Sequence, residues 1–246
     1  MNTICRNCHQ QLSGHYCSNC GQPANTPDIG PKFIFRQLRK AFISFNSGYF
    51  YTVKTLMLRP GEMLRGYIEG KRIKQMNPFS FVLLTAGAYV FLFTYYNIKT
   101  LPNSAGDIDF QAFTTWYSSH FAFFQLCLIP LYSFGTWIAF GRKRFNFSEY
   151  IILNTYMGGQ RLVISLVLFP LLYLFNGTPF FSTAVNINTA AGLLMFFWSC
   201  NQLFNEQNRI KTFFQTVLAY SIILGITAVT FLTIVSSPAL TSFIFR

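Results

Sequence analysis

Cys5, Cys8, Cys17 and Cys20 form two C-x-x-C pairs with eight residues between them, all within the first twenty positions. Each C-x-x-C turn aims two thiolates at one point, so two such turns in a short chain can enclose one tetrahedral metal ion. Zn(2+) is the default metal for this ligand set, and a rubredoxin-type iron would use the same four sulfurs. Four cysteines fill a tetrahedron, which points to a structural ion and not to a catalytic one with a vacant position for water. Apparent binding energies of ~10–16 kcal/mol would fold a segment this small. Gly14, between the pairs, is expected to let the chain reverse. His9 and His15 are close in sequence but surplus to the ligand set.

Elsewhere the chain is poor in reactive groups. It holds seven Asp and Glu against nineteen Lys and Arg, for a net charge of +12. It has no Gly-rich phosphate loop, no H-E-x-x-H and no G-x-S-x-G. No catalytic residue is therefore assigned, and a non-enzymatic protein is expected. Asp107, Asp109 and His120 could make a small acid/base or metal site, but solvated loop positions, with His120 at an interface, are the favoured reading. Arg161 stands alone inside an apolar run. A charge there marks either a possible intramembrane polar site facing Glu149, Glu206, Asn201 or Gln202, or a residue snorkelling from the start of its helix.

These groups must be positioned by very apolar elements. Of 246 residues 52% are hydrophobic and 11% charged, where a soluble domain carries roughly a quarter charged. The fold class expected is an all-α polytopic membrane protein, with spans near residues 79–96, 121–140, 151–175, 189–204 and 216–236. Pro130 and Pro170 should kink their spans. Positive charges alternate between the connecting segments, many and then few at each crossing. That pattern places the N-terminus in the cytoplasm and the C-terminus outside, and a thiolate cluster needs the same reducing compartment. The expected organisation is a zinc ribbon over 1–24, a basic amphipathic juxtamembrane region over 25–78 and a five-span domain over 79–246.

Eleven of the nineteen cations precede residue 79, and this skirt next to a membrane favours anionic headgroups over nucleic acid. Lys32–Phe45 reads as a basic amphipathic helix, either lying in the headgroup layer or packed on the spans. Arg59-Pro60-Gly61 reads as a turn. A short helix follows, with Glu62 in its first turn, an apolar stripe of Met63, Leu64, Tyr67 and Ile68, and Gly70 as its C-cap. Pro78 suits the start of the first span. Arg36, Arg39, Arg59, Arg65, Lys71 and Arg72 are the candidates for contact with lipid headgroups or a cytoplasmic protein partner; for Arg59, Arg65, Lys71 and Arg72 a plain positive-inside anchor of the first span is the favoured reading over a phosphate-binding role.

The order Cys-x-x-Cys, Tyr16-Cys17-Ser18-Asn19-Cys20-Gly21-Gln22, Thr52-x-x-x-Leu56-x-x-Arg59-Pro60-Gly61, Arg65-x-Tyr67-Ile68-x-Gly70-Lys71-Arg72 and Asn77-Pro78-Phe79 resembles an uncharacterised bacterial family. That family joins an N-terminal zinc ribbon to a multi-span membrane domain. The resemblance covers residues 5–96 and implies an inner-membrane protein with no assigned activity. The function expected is a membrane-anchored binding or scaffold protein with a structural-zinc head; a permease or transporter component with a polar path near Arg161, and a membrane enzyme acting on lipid, are the alternatives.

Overall fold

Local signals in the chain account for several helix ends. The computed structural model describes residues 4–41, 48–98, 121–141, 144–204 and 208–236. Among them every regular element is a helix, and two antiparallel bridges, Ile4 with Gln11 and Tyr16 with Pro23, are isolated. Helix α1 is Pro31–Ala41 and α2 is Tyr49–Leu58. Helix α3, Pro60–Glu69, has proline in its first turn and ends at Gly70, whose φ of 106° is the left-handed cap expected there. Asn77 caps α4, Pro78–Tyr95, by accepting from the Phe79 N–H.

Helix α5 is Phe121–Phe140, with Pro130 inside it. Helix α6, Phe147–Val167, opens with a capping box in which Asn146 accepts from the Glu149 N–H and Glu149 accepts from the Asn146 N–H. Pro170 cannot donate and crowds the preceding turn, so the chain breaks at Leu168 and restarts as α7, Phe169–Leu174. Helices α8, Phe181–Leu203, and α9, Arg209–Ser236, complete the described elements.

Contacts along these helices fix their directions. The Gly159 backbone sits on the Phe81 ring, Leu162 clusters with Val82 and Ala86, and Phe169 meets Phe93 at 5.7 Å between centroids. Helix α4 therefore runs parallel to α6 and α7. Helix α8 returns the other way: Ala184 lies beside Phe169 and Leu172, and Ser199 donates to Gln160 Oε1 at 2.8 Å. Helices α5 and α9 oppose each other, with Gln215 Nε2 on the Ala139 carbonyl at 3.0 Å and Gly135 packed against Ile222. The starts of α4, α6 and α9 and the ends of α5 and α8 consequently share one end of the bundle, and α1–α3 cover that end.

Pro78–Tyr95 and Arg209–Thr230 are long and apolar enough to cross a membrane, and Leu126–Phe140 is a shorter apolar stretch. The two long ones differ in burial: 44% of the α4 window is buried, but only 17% of the α9 window. A helix that apolar and that uncovered suits a nonpolar solvent. Phe91, Phe134, Leu194, Trp198, Phe214 and Val229 also point outward.

The structure departs from the sequence expectation at several boundaries. Helix α6 starts at Phe147, so Arg161 lies in its fourth turn and does not begin it. Tyr150–Tyr156 pack into the core shared with α1–α3, which is why this stretch could carry an apolar pattern without facing lipid. Helix α8 begins at Phe181, well before residue 189, because Asn186, Asn188 and Thr189 are accommodated within it. The short helix α2 has no counterpart in the sequence reading.

Candidate metal centre and its basic platform

The two cysteine turns are copies of one another twelve residues apart. Cys5 N donates to Gln10 O and His9 N to Cys5 O; Cys17 N donates to Gln22 O and Gly21 N to Cys17 O, all at 2.9 Å. His9 (φ 62°) and Gly21 (φ 74°) occupy the same left-handed position. The sequence carries this repeat as Cys-x-Asn-Cys-x-Gln. Reversal between the pairs does not use a left-handed Gly14; the positive φ angles fall at His9 and Gly21. The tight geometry belongs to each C-x-x-C turn and not to the link between them.

Sulfurs converge from both copies. Cys5 Sγ is 3.6 Å from Cys20 Sγ and Cys8 Sγ is 3.4 Å from Cys17 Sγ, and all four lie within 4.8 Å of one another. A tetrahedron with metal–sulfur bonds of ~2.3 Å has edges of about 3.8 Å, so the set fits one ion. Backbone N–H groups favour thiolates here: the Gln22 N–H chiefly holds the Cys20 thiol down at about 6, and the Cys20 N–H lowers Cys17. At Cys8 the Gln10 N–H acts the same way, but burial and the neighbouring Cys17 and Cys20 sulfurs outweigh it and push the thiol up to about 11. His9 and His15 are exposed and outside the cluster.

The cysteine module is fastened to the helices beneath it. Gln22 is buried; its Nε2 donates to the Gly70 carbonyl at 2.9 Å and its Oε1 accepts from the Arg72 N–H at 3.2 Å. Arg6 pairs with Asp28 at 2.8 Å and lies over Gly70, and this guanidinium lowers the Asp28 carboxyl pKa. Helix α3 is in turn fixed to the end of α8. A side chain at Gly61 would strike the Gln202 backbone at 2.4 Å, the Gly61 N–H donates to Gln202 Oε1 at 3.2 Å, and Arg65 Nη2 donates to the Leu203 carbonyl at 2.7 Å. That places a cation on the negative end of α8.

The six basic candidates divide by position. Arg36 and Arg39 are exposed on α1, and Arg59 is exposed beside Glu62 at 3.6 Å. Lys71 lies 3.7 Å from Glu69. Arg65 is committed to α8. Arg72 is enclosed: Nε donates to the Tyr67 carbonyl at 2.9 Å and Nη1 to the Pro27 carbonyl at 2.8 Å. Its guanidinium stands 4.5 Å from the Phe33 ring centroid and 5.1 Å from that of Tyr67. Burial pushes the Tyr67 hydroxyl up to about 12. The exposed side of α1 and α2 also shows Phe35 and Phe50, at 77% and 83% exposure.

Between the cysteine module and α2–α3 runs an open groove of about 820 Å³, lined among others by Asn7, Asn19, Arg59, Glu62, Lys71 and Lys74. Arg161 is far from it, against Gly192 of α8. Of the partners that the sequence suggests, Glu149 is held in the α6 cap and Gln202 by Gly61. Asp107, Asp109, His120 and Glu206 lie outside the described residues.

Residues 46–90 match the family described as "Protein of unknown function (DUF3667)". The match covers α2, α3 and most of α4, and the four-cysteine cluster on which this segment's Gly70 and Arg72 are clipped suits an uncharacterised family of that kind. No curated protein and no solved structure matches the chain. The motif residues of the matched segment have structural work: Thr52 Oγ1 accepts from the Met76 N–H at 2.9 Å, Gly61 permits the α8 contact, Gly70 ends α3, and Asn77 caps α4 while its Nδ2 donates to the Gln37 carbonyl at 2.9 Å. Sequence reading quotes Gln22 in a motif without giving it a role, and does not single out Tyr156, whose hydroxyl donates to the Met76 carbonyl at 2.6 Å, or Gln160, whose amide donates to the Leu56 carbonyl at 2.9 Å. Only Gln22 had a signal, the repeated Gln after each cysteine pair.

Proposed function

We propose that the chain is a membrane-anchored binding protein of the bacterial inner membrane, with five spans, a cytoplasmic N-terminus and an external C-terminus, and that it carries a structural Zn(2+) on Cys5, Cys8, Cys17 and Cys20. The spans are α4, α5, α6–α7, α8 and α9. Its cytoplasmic face is a platform of α1–α3 that rests on anionic headgroups through Arg36, Arg39 and neighbouring cations and inserts Phe35 and Phe50 into the interface. The zinc module and the groove beside it present a surface to a protein partner, and the chain performs no catalysis.

One observation carries this reading: the cysteine cluster is bonded to α3 through Gln22, and α3 is bonded to the end of α8 through Gly61 and Arg65. A rigid path from metal module to bundle is what a presented docking surface requires. Each Lys or Arg near an anionic surface contributes roughly 1 kcal/mol, so salt should loosen the platform.

The test uses the full chain in nanodiscs of neutral lipid alone and of neutral with anionic lipid. Hydrogen exchange of residues 31–41 should be slower with anionic lipid, and the difference should disappear at high salt and in an Arg36→Glu, Arg39→Glu variant. Equal exchange in both lipids would refute the platform. Both arginines are exposed; Arg36 also lies 5.6 Å from the Phe33 ring centroid, so Arg39→Glu alone, which should give the same loss, separates the charge effect from that contact.

A further inference from the structure

Helices α4, α5, α6, α8 and α9 leave a cavity of about 370 Å³ between them, within the range at which small-ligand sites begin, ~300 Å³. Ile129, Leu162 and Phe196 form apolar wall, whereas Asn154, Gln160, Arg161 and Asn188 supply polar groups. Two of these are already spent. Asn154 Nδ2 donates to Thr136 Oγ1 at 2.8 Å, and Gln160 is bonded at both ends, to Leu56 and Ser199.

Arg161 and Asn188 are not spent. Neither has a hydrogen-bond partner among the described residues, and Asn188 Oδ1 is enclosed without one. They face each other's helix: Asn188 and Gly192 are one turn apart on α8, and a Cβ on Gly192 would come within 3.1 Å of Arg161 Nη1. The missing side chain at Gly192 is what admits the guanidinium. Asp28, Glu62, Glu69 and Glu149, the acids among the described residues, are all absent from the lining.

The mouth identifies the source of a ligand. Arg161 is exposed, and Leu224, which also lines the cavity, is 52% exposed on the outward apolar side of α9. Gly192 lies eleven residues from Leu203, about 16 Å along α8 from the platform end. The opening is therefore lateral, among apolar side chains, and not through the polar platform. A cation at that depth with no carboxylate beside it among the described residues calls for an anion, and an anion arriving through an apolar mouth brings an apolar tail.

We propose that this cavity binds a single-chain anionic amphiphile from the bilayer, its carboxylate or phosphate head on Arg161 and on the amide of Asn188, its chain along Leu162 and Phe196. The volume admits the head and part of one chain, not a two-chain lipid. The inference rests on the bundle lying in lipid and is independent of the platform.

The probes are myristate, tetradecanol and acetate, added to the purified full chain in a neutral maltoside detergent and read by native mass spectrometry and thermal unfolding. Myristate should be retained one to one and raise the unfolding temperature, with little effect of tetradecanol or acetate at the same concentration. Arg161→Gln should weaken myristate binding at least tenfold, and Arg161→Lys should restore part of it. Thr227→Leu narrows the cavity while leaving Arg161 in place; its hydroxyl bonds only its own helix, so this variant should fold and also lose myristate. Tetradecanol binding as well as myristate, or undiminished binding in Arg161→Gln or Thr227→Leu, would overturn the proposal. Acetate reproducing the whole effect would show a site for small anions and overturn it too.

Discussion

Two glycines in one helix should respond oppositely to the same substitution. At Gly61 an added Cβ would stand 2.4 Å from the Gln202 carbonyl carbon and 2.6 Å from its oxygen, whereas carbon atoms in contact prefer ~3.5–4.0 Å. Backbone is on both sides, so α3 must move away from α8 by about 1 Å. That shift removes the Gly61 to Gln202 bond and stretches the Arg65 to Leu203 bond. Overpacking costs about 1–3 kcal/mol, and the charge-assisted and neutral hydrogen bonds add about 1.5–3 and 0.5–1.5 kcal/mol. With partial relaxation Gly61→Ala should lose about 3–5 kcal/mol. At Gly66 the added Cβ meets only Lys71 side-chain carbons, the nearest at 3.5 Å, and alanine gains ~0.8–1 kcal/mol of helix propensity. Thermal unfolding of the purified full chain in detergent should show Gly61→Ala lower by about 6–20 °C and Gly66→Ala unchanged or higher. Equal behaviour of the two variants, in either direction, would refute the close α3–α8 contact.

Elemental analysis of the purified chain should find one zinc per molecule, and a chelator should raise hydrogen exchange over residues 4–24 while the exchange of α4 and α6 stays slow; finding iron, or disulfides among the four cysteines, would contradict the assignment. Gly21→Ala should cost roughly 1–2 kcal/mol from its left-handed φ, since nothing lies within 4 Å to clash, while His9→Gly should stabilise its own copy of the turn; both are measured by competition of the metal against a chromogenic chelator. Asp28 is held below its usual range by Arg6, so its contribution is present above the unfolded value near pH 4 and fades as pH falls through the lower folded value. Asp28→Asn should therefore flatten the acid side of the stability profile slightly, the Asp28 carboxylate being largely exposed.

Residues whose partners lie nearby in sequence were legible. The cysteine spacing, the Gly70 cap and the Asn77-Pro78 start act within a few residues, and each stands where the pattern puts it. Helix α5 ends at Phe140, at its expected limit, for a similar reason: Gly141 and the basic Arg142-Lys143-Arg144 close the apolar run. Helix α2 escaped notice because its apolar residues follow no clean helical stripe; Gly48 and Arg59 bound it, and Thr52 and Leu56 bury against elements far along the chain. The roles of Gly61 and Arg65 depend on Gln202 and Leu203, some 140 residues on, and no local pattern encodes that meeting. Apolar length misplaced the start of α8 because its first turns mix Asn and Thr with Val and Ile.

The proposed function requires the bundle to cross a membrane with its platform end inside. The most direct measurement is labelling of intact cells with an impermeant thiol reagent, using Gly177→Cys, in the turn between α7 and α8, and Asn208→Cys, just before α9, each in a Cys127→Ser, Cys200→Ser background. Position 177 should be labelled in intact cells and position 208 only after the membrane is opened. Labelling at 208 from outside, or protection at 177 that persists until the membrane is opened, would contradict the proposed function.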